Sequence, residues 1–579
     1  MIKLLRFLRP YRLTLVLVTA LAFAQALANL YLPTLMAYIV DNGIVKGDTG
    51  YIWRIGGVML LVAIGGTLAA IIGIFFSSQV ATGFGKIVRA RIFTHAGQFS
   101  LHEFDMLGAS SLITRTTNDT TQVQQVMIVI LNMMITAPIT LVAGVILAIN
   151  QDAELSWIFV VIIPVLVGAI VLLMSKAIPL FGTLQLKLDK LNLILDEGLT
   201  GVRVVRAFDR QRYEEQRFDT ASLDLMDVTI RVNRLVAFLM PIMMLVLNVS
   251  SVAILWFGAI RINNGDMKVG ALIAFLQYAM QILFALLMVS MMFIMLPRAE
   301  ASAKRINEVL AVDPEINDAE QVRLAEDTRG YVEFQDVTFS YAGAEEPALS
   351  HISFSTAPGE VTAIIGGTGA GKSTLVNLIP RFYDIDSGRI LVDSVDIREM
   401  AQEHLRTKIG FVPQKAVLFS GTIAENIRYG KEDATDEEVR HAADIAQASD
   451  FIEDMADGFD SIIAQGGTNV SGGQKQRLSI ARALVRRPEI YVFDDSFSAL
   501  DFKTDARLRS ALKKETRNAT VFIVAQRVGT VMDADRIIVL DEGRIAGIGT
   551  HRTLMETSEV YREIVSSQLS SEEIEEGIA

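Results

Sequence analysis

The stretch Gly366-Gly367-Thr368-Gly369-Ala370-Gly371-Lys372-Ser373-Thr374 lies between two apolar runs, 361–365 and 375–379. This order predicts a strand, a glycine-rich loop and a helix. Glycines let backbone N–H groups turn toward phosphate oxygens, and a helix N-terminus adds a partial positive charge. Lys372 is predicted to reach the terminal phosphates and Ser373 to bind Mg²⁺, so the stretch has the pattern of a nucleotide-binding P-loop. A chance glycine turn is the alternative, which the flanking strand and helix disfavour.

The composition indicates that much of the chain lies in lipid. Hydrophobic residues make up 51% of the 579 residues. The chain has no Cys, which excludes disulfides and thiolate metal sites, and its six His residues lack ligand-like spacing. The net charge of −12 gives no sign of a nucleic-acid partner. The acidic end, 569–579, is interpreted as a disordered tail.

Six apolar segments are predicted to span a membrane, and each has the roughly 20 residues that a 30 Å hydrocarbon layer requires. They lie near 14–40, 55–80, 127–149, 156–178, 236–260 and 270–296. Basic residues cluster on alternate connections, so the positive-inside rule predicts cytoplasmic N- and C-termini. We therefore predict a transmembrane domain over 1–312, a linker over 313–329 and a soluble α/β domain over 330–568.

Two cytoplasmic connections, 81–126 and 179–235, are too long for loops and show helical periodicity. We predict that they continue the spanning helices beyond the bilayer. Their turning points, 104–119 and 197–208, are interpreted either as docking points for the soluble domain or as simple helix corners.

Methionine and amide side chains recur in the fifth and sixth spans. Those that we predict to line a substrate path are Met240, Met244, Asn248, Gln277, Gln281, Met288 and Met292. Methionine adapts to varied apolar shapes, and an intramembrane amide usually faces a bundle interior or a water-filled cavity. Ordinary helix packing produces the same pattern, so both interpretations stand.

Two further stretches of the soluble half are predicted to meet the nucleotide. The strand predicted over 332–339 is followed by Tyr341, whose ring is placed to stack on adenine, although an exposed Tyr at a strand end is common. The apolar run 490–493 ends in Asp494 and Asp495, as expected for a buried parallel strand whose carboxyl end faces a ligand. Asp494 is predicted to hold Mg²⁺ through water.

Between these motifs lie Gln414 and the stretch Ser471-Gly472-Gly473-Gln474. Serine with two glycines before a helix supplies backbone N–H groups and a positive helix end, which again suits phosphate. One P-loop has no use for a second such cradle. This stretch is therefore expected to close over a nucleotide bound to another domain.

On these motifs the chain resembles an ABC exporter half-transporter, with an all-α, six-helix type IV transmembrane domain fused to an α/β P-loop nucleotide-binding domain. The most specific marker is the signature-like stretch 470–474, which follows the P-loop and Gln414 and precedes Asp494 and Ser498-Ala499-Leu500-Asp501. The resemblance implies a dimer with two ATP molecules sandwiched head to tail, each between one P-loop and the opposite signature. It also implies roles for Gln414 in catalysis and Mg²⁺ binding, and for Asp501 at the nucleotide.

Two residues depart from that family's pattern. The residue after the Walker B aspartate is normally a glutamate that acts as general base, and here it is Asp495; the switch histidine is replaced by Gln526. Misplacing a reacting group by about 1 Å can cost on the order of 10²-fold in rate. Glutamine cannot become cationic or relay a proton. Together the changes predict a site that binds ATP well and hydrolyses it slowly.

An intact signature beside a weak catalytic pair resembles heterodimeric bacterial ABC multidrug exporters. The resemblance implies a catalytically competent partner half-transporter, whose ATP site this signature completes. A homodimer in which Asp495 works slowly at both sites is the alternative.

The expected function is ATP-driven export of amphipathic or drug-like compounds across a bacterial inner membrane, with ATP and Mg²⁺ as cofactors and the lipid bilayer as surroundings. Lipid or peptide cargo remains open, as does an ATP-gated regulatory or channel-like protein. The six spans disfavour a soluble ABC protein of the DNA-repair or translation type.

Overall fold

The computed structural model describes residues 1–319, 321–323 and 329–569, and leaves the side chains at 291, 293 and 294 undescribed. The chain divides into two compact units, Met1–Gly97 with Gly108–Val312, and Gln98–Leu107 with Asp313–Ala579. The predicted linker lies partly outside the described residues, and the predicted acidic tail lies outside them except for Leu569. Both therefore stay predictions.

Long helices make up the first unit, and among the described residues six helices are long and apolar enough to cross a membrane. In chain order, the helices up to Leu310 are α1 (Ile2–Ile44), α2 (Thr49–Ala96), α3 (Leu101–Leu107), α4 (Ala109–Gln151), α5 (Trp157–Thr200), α6 (Val202–Ala207), α7 (Gln211–Asn263) and α8 (Val269–Leu310), of which α3 lies in the second unit. A 3₁₀ segment opens α1 (Ile2–Tyr11), and π-helical turns occur at Ile39–Ile44, Arg115–Asp119 and Ile130–Met134. The prediction of six apolar helices joined to an α/β domain is confirmed.

The second spanning helix shows how local sequence fixes these elements. The Asp48 carboxylate accepts a hydrogen bond from Tyr51 N at 2.9 Å and so caps the start of α2. The helix then runs for 48 residues, far beyond the roughly 20 that a bilayer requires. The helix therefore continues past the predicted span 55–80 as far as Ala96, and its extension beyond the bilayer stays a prediction.

The packed centre of the first unit lies along α8. Phe275, Tyr278 and Ile282 are fully buried there, and the Tyr278 hydroxyl lies 2.6 Å from that of Thr34 on α1. Large apolar side chains elsewhere stay exposed, and Leu13 is 88% exposed. Apolar surface on this scale marks contact with another apolar phase, which suits helices in lipid.

The short helix α3 belongs to the second unit. The buried Glu103 carboxylate accepts hydrogen bonds from Ser100 N at 2.6 Å, from Ser100 Oγ at 2.5 Å and from Glu315 N at 2.8 Å. Burial alone would raise the Glu103 pKa, but these hydrogen bonds outweigh it and lower the pKa. The turning point predicted over 104–119 is thus divided between the units, and its docking role stays a prediction.

The remainder of the second unit is an α/β domain. Its strands are β1 (Val332–Phe339), β2 (Leu349–Thr356), β3 (Val361–Gly366), β4 (Ser387–Val392), β5 (Val395–Asp396), β6 (Ile409–Val412), β7 (Gly421–Thr422), β8 (Ile462–Ile463), β9 (Ile490–Asp494), β10 (Thr520–Val524), β11 (Arg536–Asp541) and β12 (Arg544–Gly549). Its helices are α9 (Lys372–Leu378), α10 (Gln402–Thr407), α11 (Ile423–Arg428), α12 (Asp436–Ile445), α13 (Ser449–Glu453), α14 (Gly472–Val485), α15 (Phe502–Glu515), α16 (Val528–Val531), α17 (His551–Thr557) and α18 (Glu559–Ser566).

The strands form three sheets, ordered β2-β1-β4-β5, β12-β11-β3-β10-β9-β6 and β7-β8. The first and third are antiparallel, whereas the second is parallel from β11 to β6, with β12 antiparallel at its edge. Within β9, Tyr491 and Phe493 enter one apolar cluster and Ile490 and Val492 enter another. The central sheet is therefore buried on both faces, as its continuous apolar strands require.

Strand register brings the sequence motifs to one edge of this sheet. Ile364 pairs with Val524 of β10, which in turn pairs with Asp494 of β9. Val412 of β6 pairs with Phe493 of β9. Because these strands are parallel, the segments that follow them all leave at the same carboxyl edge, where ligands bind in open α/β sheets.

Candidate nucleotide-binding site

The loop between β3 and α9 has the backbone shape that its glycines predict. Gly369 has φ +84° and Gly371 has φ +92°, a region that side chains other than glycine rarely adopt. A Cβ at Gly371 would lie 2.9 Å from the Ala348 carbonyl oxygen, whereas nothing lies within 4 Å of a Cβ at Gly367 or Gly369. The loop is thus packed against the protein on one side and open on the other.

The residues after these glycines point polar groups into the loop. Lys372 Nζ donates to the carbonyl oxygens of Gly366 at 2.9 Å and Gly367 at 2.6 Å. Ser373 Oγ donates to Asp494 Oδ1 at 2.9 Å, which joins the P-loop to the end of β9. Burial lowers the Lys372 pKa, and attraction to Asp495 and then Asp494 only partly opposes this shift.

The neighbouring Asp494 carboxylate is almost fully buried. Burial raises its pKa; the hydrogen bond from Ser373 opposes this shift, whereas repulsion by Asp495 adds to it. A cation near this carboxylate would offset the cost of burying its charge.

The donor set suits a magnesium nucleotide. Mg²⁺ prefers oxygen ligands and is usually held by one or two carboxylates together with substrate phosphates. Ser373 and Asp494 supply a hydroxyl and a carboxylate oxygen side by side. Over 1–319, 321–323 and 329–569 no group of three or more His, Asp or Glu is arranged to hold a metal. A site completed by phosphate oxygens fits these residues, and the assignments of Ser373, Asp494 and Gln414 as ligands stay predictions.

The predicted adenine platform, Tyr341, lies in an aromatic cluster beside the P-loop. Its ring lies edge-on to Phe339 at 5.0 Å and to Tyr383 at 5.5 Å between centroids. Its hydroxyl lies 2.9 Å from Thr374 Oγ1, and the residue is 40% exposed. Burial, followed by the influence of Tyr341 and Asp105, raises the Tyr383 pKa to about 12. The hydroxyl contact with Thr374 tethers the Tyr341 ring, and the stacking role stays a prediction.

Asp495, the residue in the place of the catalytic glutamate, is held by two glutamines. Gln526 Nε2 donates to Asp495 Oδ2 at 2.8 Å, and Gln414 Nε2 donates to the same oxygen at 3.3 Å. The residue is buried, has φ +46°, and donates its N–H to the Val524 carbonyl at 3.0 Å. The structure therefore brings together all three residues predicted to take part in catalysis.

The backbone carbonyl of each of these two glutamines accepts a hydrogen bond from a further glutamine. Gln476 Nε2 of α14 donates to the Gln414 carbonyl at 2.7 Å. Gln568 Nε2, beyond α18, donates to the Gln526 carbonyl at 2.8 Å. Sequence reasoning missed both tethers, because a single glutamine on a helix carries no pattern that identifies its partner.

The signature-like stretch begins α14. Ser471 Oγ accepts from Gln474 N at 3.3 Å, while Gln474 Oε1 accepts from Ser471 N at 2.8 Å, which forms a capping box. Ser471 and Gly472 are exposed, and nothing lies within 4 Å of a Cβ at Gly472. A Cβ at Gly473 would lie 3.1 Å from the Ala499 carbonyl oxygen. The helix start is open to a ligand on its outer side and packed on its inner side.

Asp501 caps the start of α15. Its carboxylate accepts from Thr504 N at 2.9 Å and Thr504 Oγ1 at 2.7 Å, and these hydrogen bonds lower its pKa. Its side chain is therefore engaged in a structural cap, and its predicted contact with nucleotide stays a prediction.

The residues predicted to line a substrate path fall into separate places in the first unit. Gln277, Gln281 and Met288 line a cavity of about 430 Å³, while Met240 and Met244 line a small one of about 30 Å³. Phe284 lines both. Asn248 is exposed on α7 and Met292 is half-buried on α8.

The larger cavity also contains polar residues that sequence reasoning missed. Gln25, Asn29, Thr136 and Thr140 line it, and Gln281 Nε2 donates to the Asn29 carbonyl at 3.3 Å. Gln25 and Asn29 are one helical turn apart, as are Gln277 and Gln281. The same signal could have identified both pairs.

Comparisons with known proteins agree with this architecture. A family model described as ABC transporter transmembrane region matches residues 15–287, and one described as ABC transporter matches residues 349–498. An uncharacterized ABC transporter ATP-binding protein of Mycobacterium tuberculosis is 44% identical over 565 residues, which cover 97% of each chain. The chain belongs to the ABC transporter family.

Other members of the ABC transporter family match over most of their length. The ATP-dependent lipid A-core flippase of Desulfotalea psychrophila is 34% identical, over 83% of this chain and 84% of that protein. A solved bacterial Atm1-family ABC exporter with ATP bound has a TM-score of 0.81 and 26% identity, over 97% of this chain and 99% of that one. With one transmembrane and one ATP-binding region, this chain is a multi-pass ABC exporter half-transporter and a transport ATPase.

Proposed function

We propose that this half-transporter is the slowly hydrolysing subunit of a heterodimeric ATP-driven exporter. Its P-loop binds ATP with Mg²⁺, its own catalytic pair turns over poorly, and its signature completes the ATP site of a competent partner. The proposed cargo is an amphipathic or drug-like compound. The proposed location is a bacterial inner membrane, with both termini in the cytoplasm.

The observation that carries this proposal is the pair of amides on Asp495 Oδ2. A carboxylate oxygen that already accepts two hydrogen bonds has no lone pair left for the proton of the attacking water, which leaves only Oδ1 for that task. Here Gln526 and Gln414 both donate to Oδ2, at 2.8 and 3.3 Å. Gln526 also has no charged form with which to stabilise developing negative charge. Both features reduce the capacity of this site for proton transfer.

Nucleotide binding is proposed to be intact because the groups that serve it are intact. Gly367 and Gly369 are exposed, with open space where a Cβ would lie, and Lys372 Nζ donates to the Gly367 carbonyl. Mg²⁺ would neutralise phosphate charge when bound, and Ser373 and Asp494 would hold it. Tyr341 would support the adenine, with its ring tethered through Thr374.

The signature supports the assignment of competence to a partner. Ser471 and Gly472 form an exposed helix start, and the capping box engages Ser471 Oγ with Gln474 N. Exposed N–H groups at a helix N-terminus favour phosphate. A subunit that only bound ATP for itself would gain nothing from maintaining this feature.

The cavity of about 430 Å³ supports an amphipathic cargo. Among the described residues, its lining combines Gln25, Asn29, Gln277 and Gln281 with apolar Phe284 and Met288 and includes no charged side chain. Such a lining suits a ligand with apolar bulk and uncharged hydrogen-bonding groups.

A lipid cargo is the second candidate. The relative from Desulfotalea psychrophila, 34% identical, is an ATP-dependent lipid A-core flippase. A lipid is also amphipathic, so the cavity lining does not separate the two cargo classes. Transport assays in vesicles with a fluorescent lipid and with a soluble amphipathic dye distinguish them.

The test of the slow site is the double substitution Asp495→Glu with Gln526→His in the purified complex. It restores the carboxylate reach and the titratable partner. With the partner's catalytic glutamate replaced by glutamine, so that only this chain's site can turn over, we expect ATPase activity to rise by about tenfold or more, within the span of general acid–base catalysis. The two single substitutions serve as control variants. ATP affinity is measured for all of them and should stay unchanged, because neither substitution lies in the P-loop. Unchanged activity of a well-folded double variant would contradict the explanation of the slow site.

The test of the heterodimer starts from the tagged chain isolated from native membranes. We expect a second ABC half-transporter in equal amount, and loss of ATPase activity when that partner's catalytic glutamate is replaced by glutamine. Asp495→Asn in the same complex is the matched control and should retain most activity. If the chain purified alone assembles with itself and hydrolyses ATP rapidly, the heterodimer proposal is wrong.

A further inference from the structure

The side chain of Gln568 binds the backbone on both sides of Arg527. Its Nε2 donates to the Gln526 carbonyl at 2.8 Å, and its Oε1 accepts from Val528 N at 2.9 Å. A primary amide that donates and accepts in this way imitates a neighbouring strand. It therefore fixes both the position and the direction of the segment 526–528.

The Oε1 atom of Gln568 accepts a hydrogen bond from a helix N-terminus that has no other side-chain cap. Val528 is the first residue of α16, a helix whose N-cap residue, Arg527, makes no side-chain cap hydrogen bond. The first N–H groups of a helix have no partner within the helix. Gln568 Oε1 supplies the missing acceptor for Val528 from a position 40 residues further along the chain.

Gln568 is held by a well-anchored element. It follows α18, in which Tyr561 and Val565 are fully buried in the same apolar cluster as Val528 and Val531. The Tyr561 hydroxyl lies 2.8 Å from His551 Nδ1 of α17 in a buried contact. The C-terminal helices are thus packed into the domain core, and they deliver the amide to a defined place.

The other end of this connection reaches the carboxylate. Gln568 holds the Gln526 carbonyl, and the Gln526 side chain donates to Asp495 Oδ2 at 2.8 Å. The direction of the Gln526 side chain depends on its backbone, which Gln568 restrains. Gln526 is therefore the single residue that connects Gln568 to the Asp495 carboxylate.

We propose that Gln568 is a positioning residue for ATP hydrolysis, which orients residue 526 toward residue 495 and so links the C-terminal segment to the rate of the catalytic step. The proposal rests on the assignment of Asp495 and Gln526 to the catalytic position. It does not depend on whether the wild-type site is slow or fast, because the backbone tether acts on either side chain at 526.

The first test is amide hydrogen exchange of the full-length protein, read at Val528. A peptide that covers the P-loop serves as the reference, because these substitutions leave the P-loop untouched. In Gln568→Ala, Val528 N–H loses its acceptor, and we expect its exchange to rise about threefold or more, as loss of one partly solvated hydrogen bond predicts. Gln568→Glu keeps the acceptor and loses the donor, so Val528 should stay protected. Ser567→Ala, a neighbouring exposed position, is the matched control.

The second test separates kcat from KM, in the wild-type background and in Asp495→Glu with Gln526→His. The readout is turnover at this chain's own ATP site, isolated in complexes whose partner's catalytic glutamate is replaced by glutamine. There Gln568→Ala and Gln568→Glu should both lower kcat by about threefold to tenfold. The KM for ATP should change by less than about twofold, because the P-loop is untouched. A merely structural role would instead lower thermal stability and leave the kcat of the folded fraction unchanged.

The two proposals fail in different ways. Rapid hydrolysis by the wild-type chain alone overturns the slow-site proposal and leaves Gln568 to be judged by its own variants. Unchanged Val528 exchange in Gln568→Ala, or an equal fall in kcat for Ser567→Ala, overturns the positioning role. If Gln568→Ala folds poorly, Gln568→Glu still tests the positioning role. A lower kcat together with a protected Val528 N–H supports the role, and an unchanged kcat overturns it.

Discussion

Two adjacent carboxylates at the end of β9 have opposite surroundings. Asp494 accepts from the hydroxyl of Ser373 in the P-loop, at 2.9 Å. Asp495 turns away with φ +46° and accepts from the neutral amides of Gln526 and Gln414. The first carboxylate is joined by a hydrogen bond to the P-loop, whereas the side chains that donate hydrogen bonds to the second are neutral amides, and Lys372 attracts both carboxylates.

Under the proposed function, this difference would separate nucleotide binding from turnover at two adjacent residues. Residues on the Asp494 side can hold a nucleotide whether or not Asp495 accepts a proton. In the proposed heterodimer, such a separation would allow one ATP site to bind nucleotide without rapid hydrolysis while the other site hydrolyses it. Three experiments test the separation, in order of decreasing effect.

The largest effect is expected for Lys372→Ala. Loss of the cation beside the phosphates should weaken ATP binding by about 100-fold, in keeping with 1.5–3 kcal/mol for each hydrogen bond to a charged group. Asp495→Asn should change ATP affinity by less than about threefold. Isothermal titration calorimetry of both variants measures this contrast. If the two substitutions weakened ATP binding equally, ATP affinity would depend on Asp495 as well as on the P-loop.

A second, smaller contrast concerns turnover of the assembled complex. Ser471→Ala removes an exposed hydroxyl of the signature, and we expect ATPase activity to fall about tenfold because the partner's competent site loses a phosphate contact. Asp495→Asn should lower activity by less than about twofold. The reverse order would reassign the competent site to this chain's own P-loop. Thermal unfolding of both variants controls for misfolding.

The smallest effect is expected at Tyr341. Tyr341→Phe removes the contact with Thr374 but keeps the ring, so ATP affinity should change by less than about threefold, as expected for one partly exposed hydrogen bond. Tyr341→Ala removes the ring and should weaken binding by about tenfold, within the range of base stacking. Equal effects of the two substitutions would mean that the hydroxyl, and not the ring, supports the nucleotide.

Much of the fold was predictable because its signals are local. Spanning length, the glycine spacing at 366–371 and the run that ends in Asp494 each identify an element without knowledge of its neighbours. The grouping of α3 with the second unit was not predictable, since it depends on Glu103 meeting Glu315 N across more than 200 residues of chain.

The candidate site was predictable in its parts but not in its contacts. Sequence alone identified Asp495, Gln526 and Gln414 as members of one site. Their arrangement follows from strand register, in which Val524 pairs with Asp494, and register cannot be read from either strand by itself. The tethers Gln476 and Gln568 have no sequence signal, because the groups that they bind are backbone carbonyls and N–H groups common to every residue.

The close packing at Gly473 affects how this protein should be mutated. A Cβ there would meet the Ala499 carbonyl oxygen at 3.1 Å, so even alanine must displace the stretch that leads to Asp501. A phenotype of Gly473→Ala would therefore mix two lesions, one in the signature and one in the segment behind it. Gly472, with free space around it, and Ser471 are the positions at which a genetic dissection of the signature can be interpreted without that ambiguity.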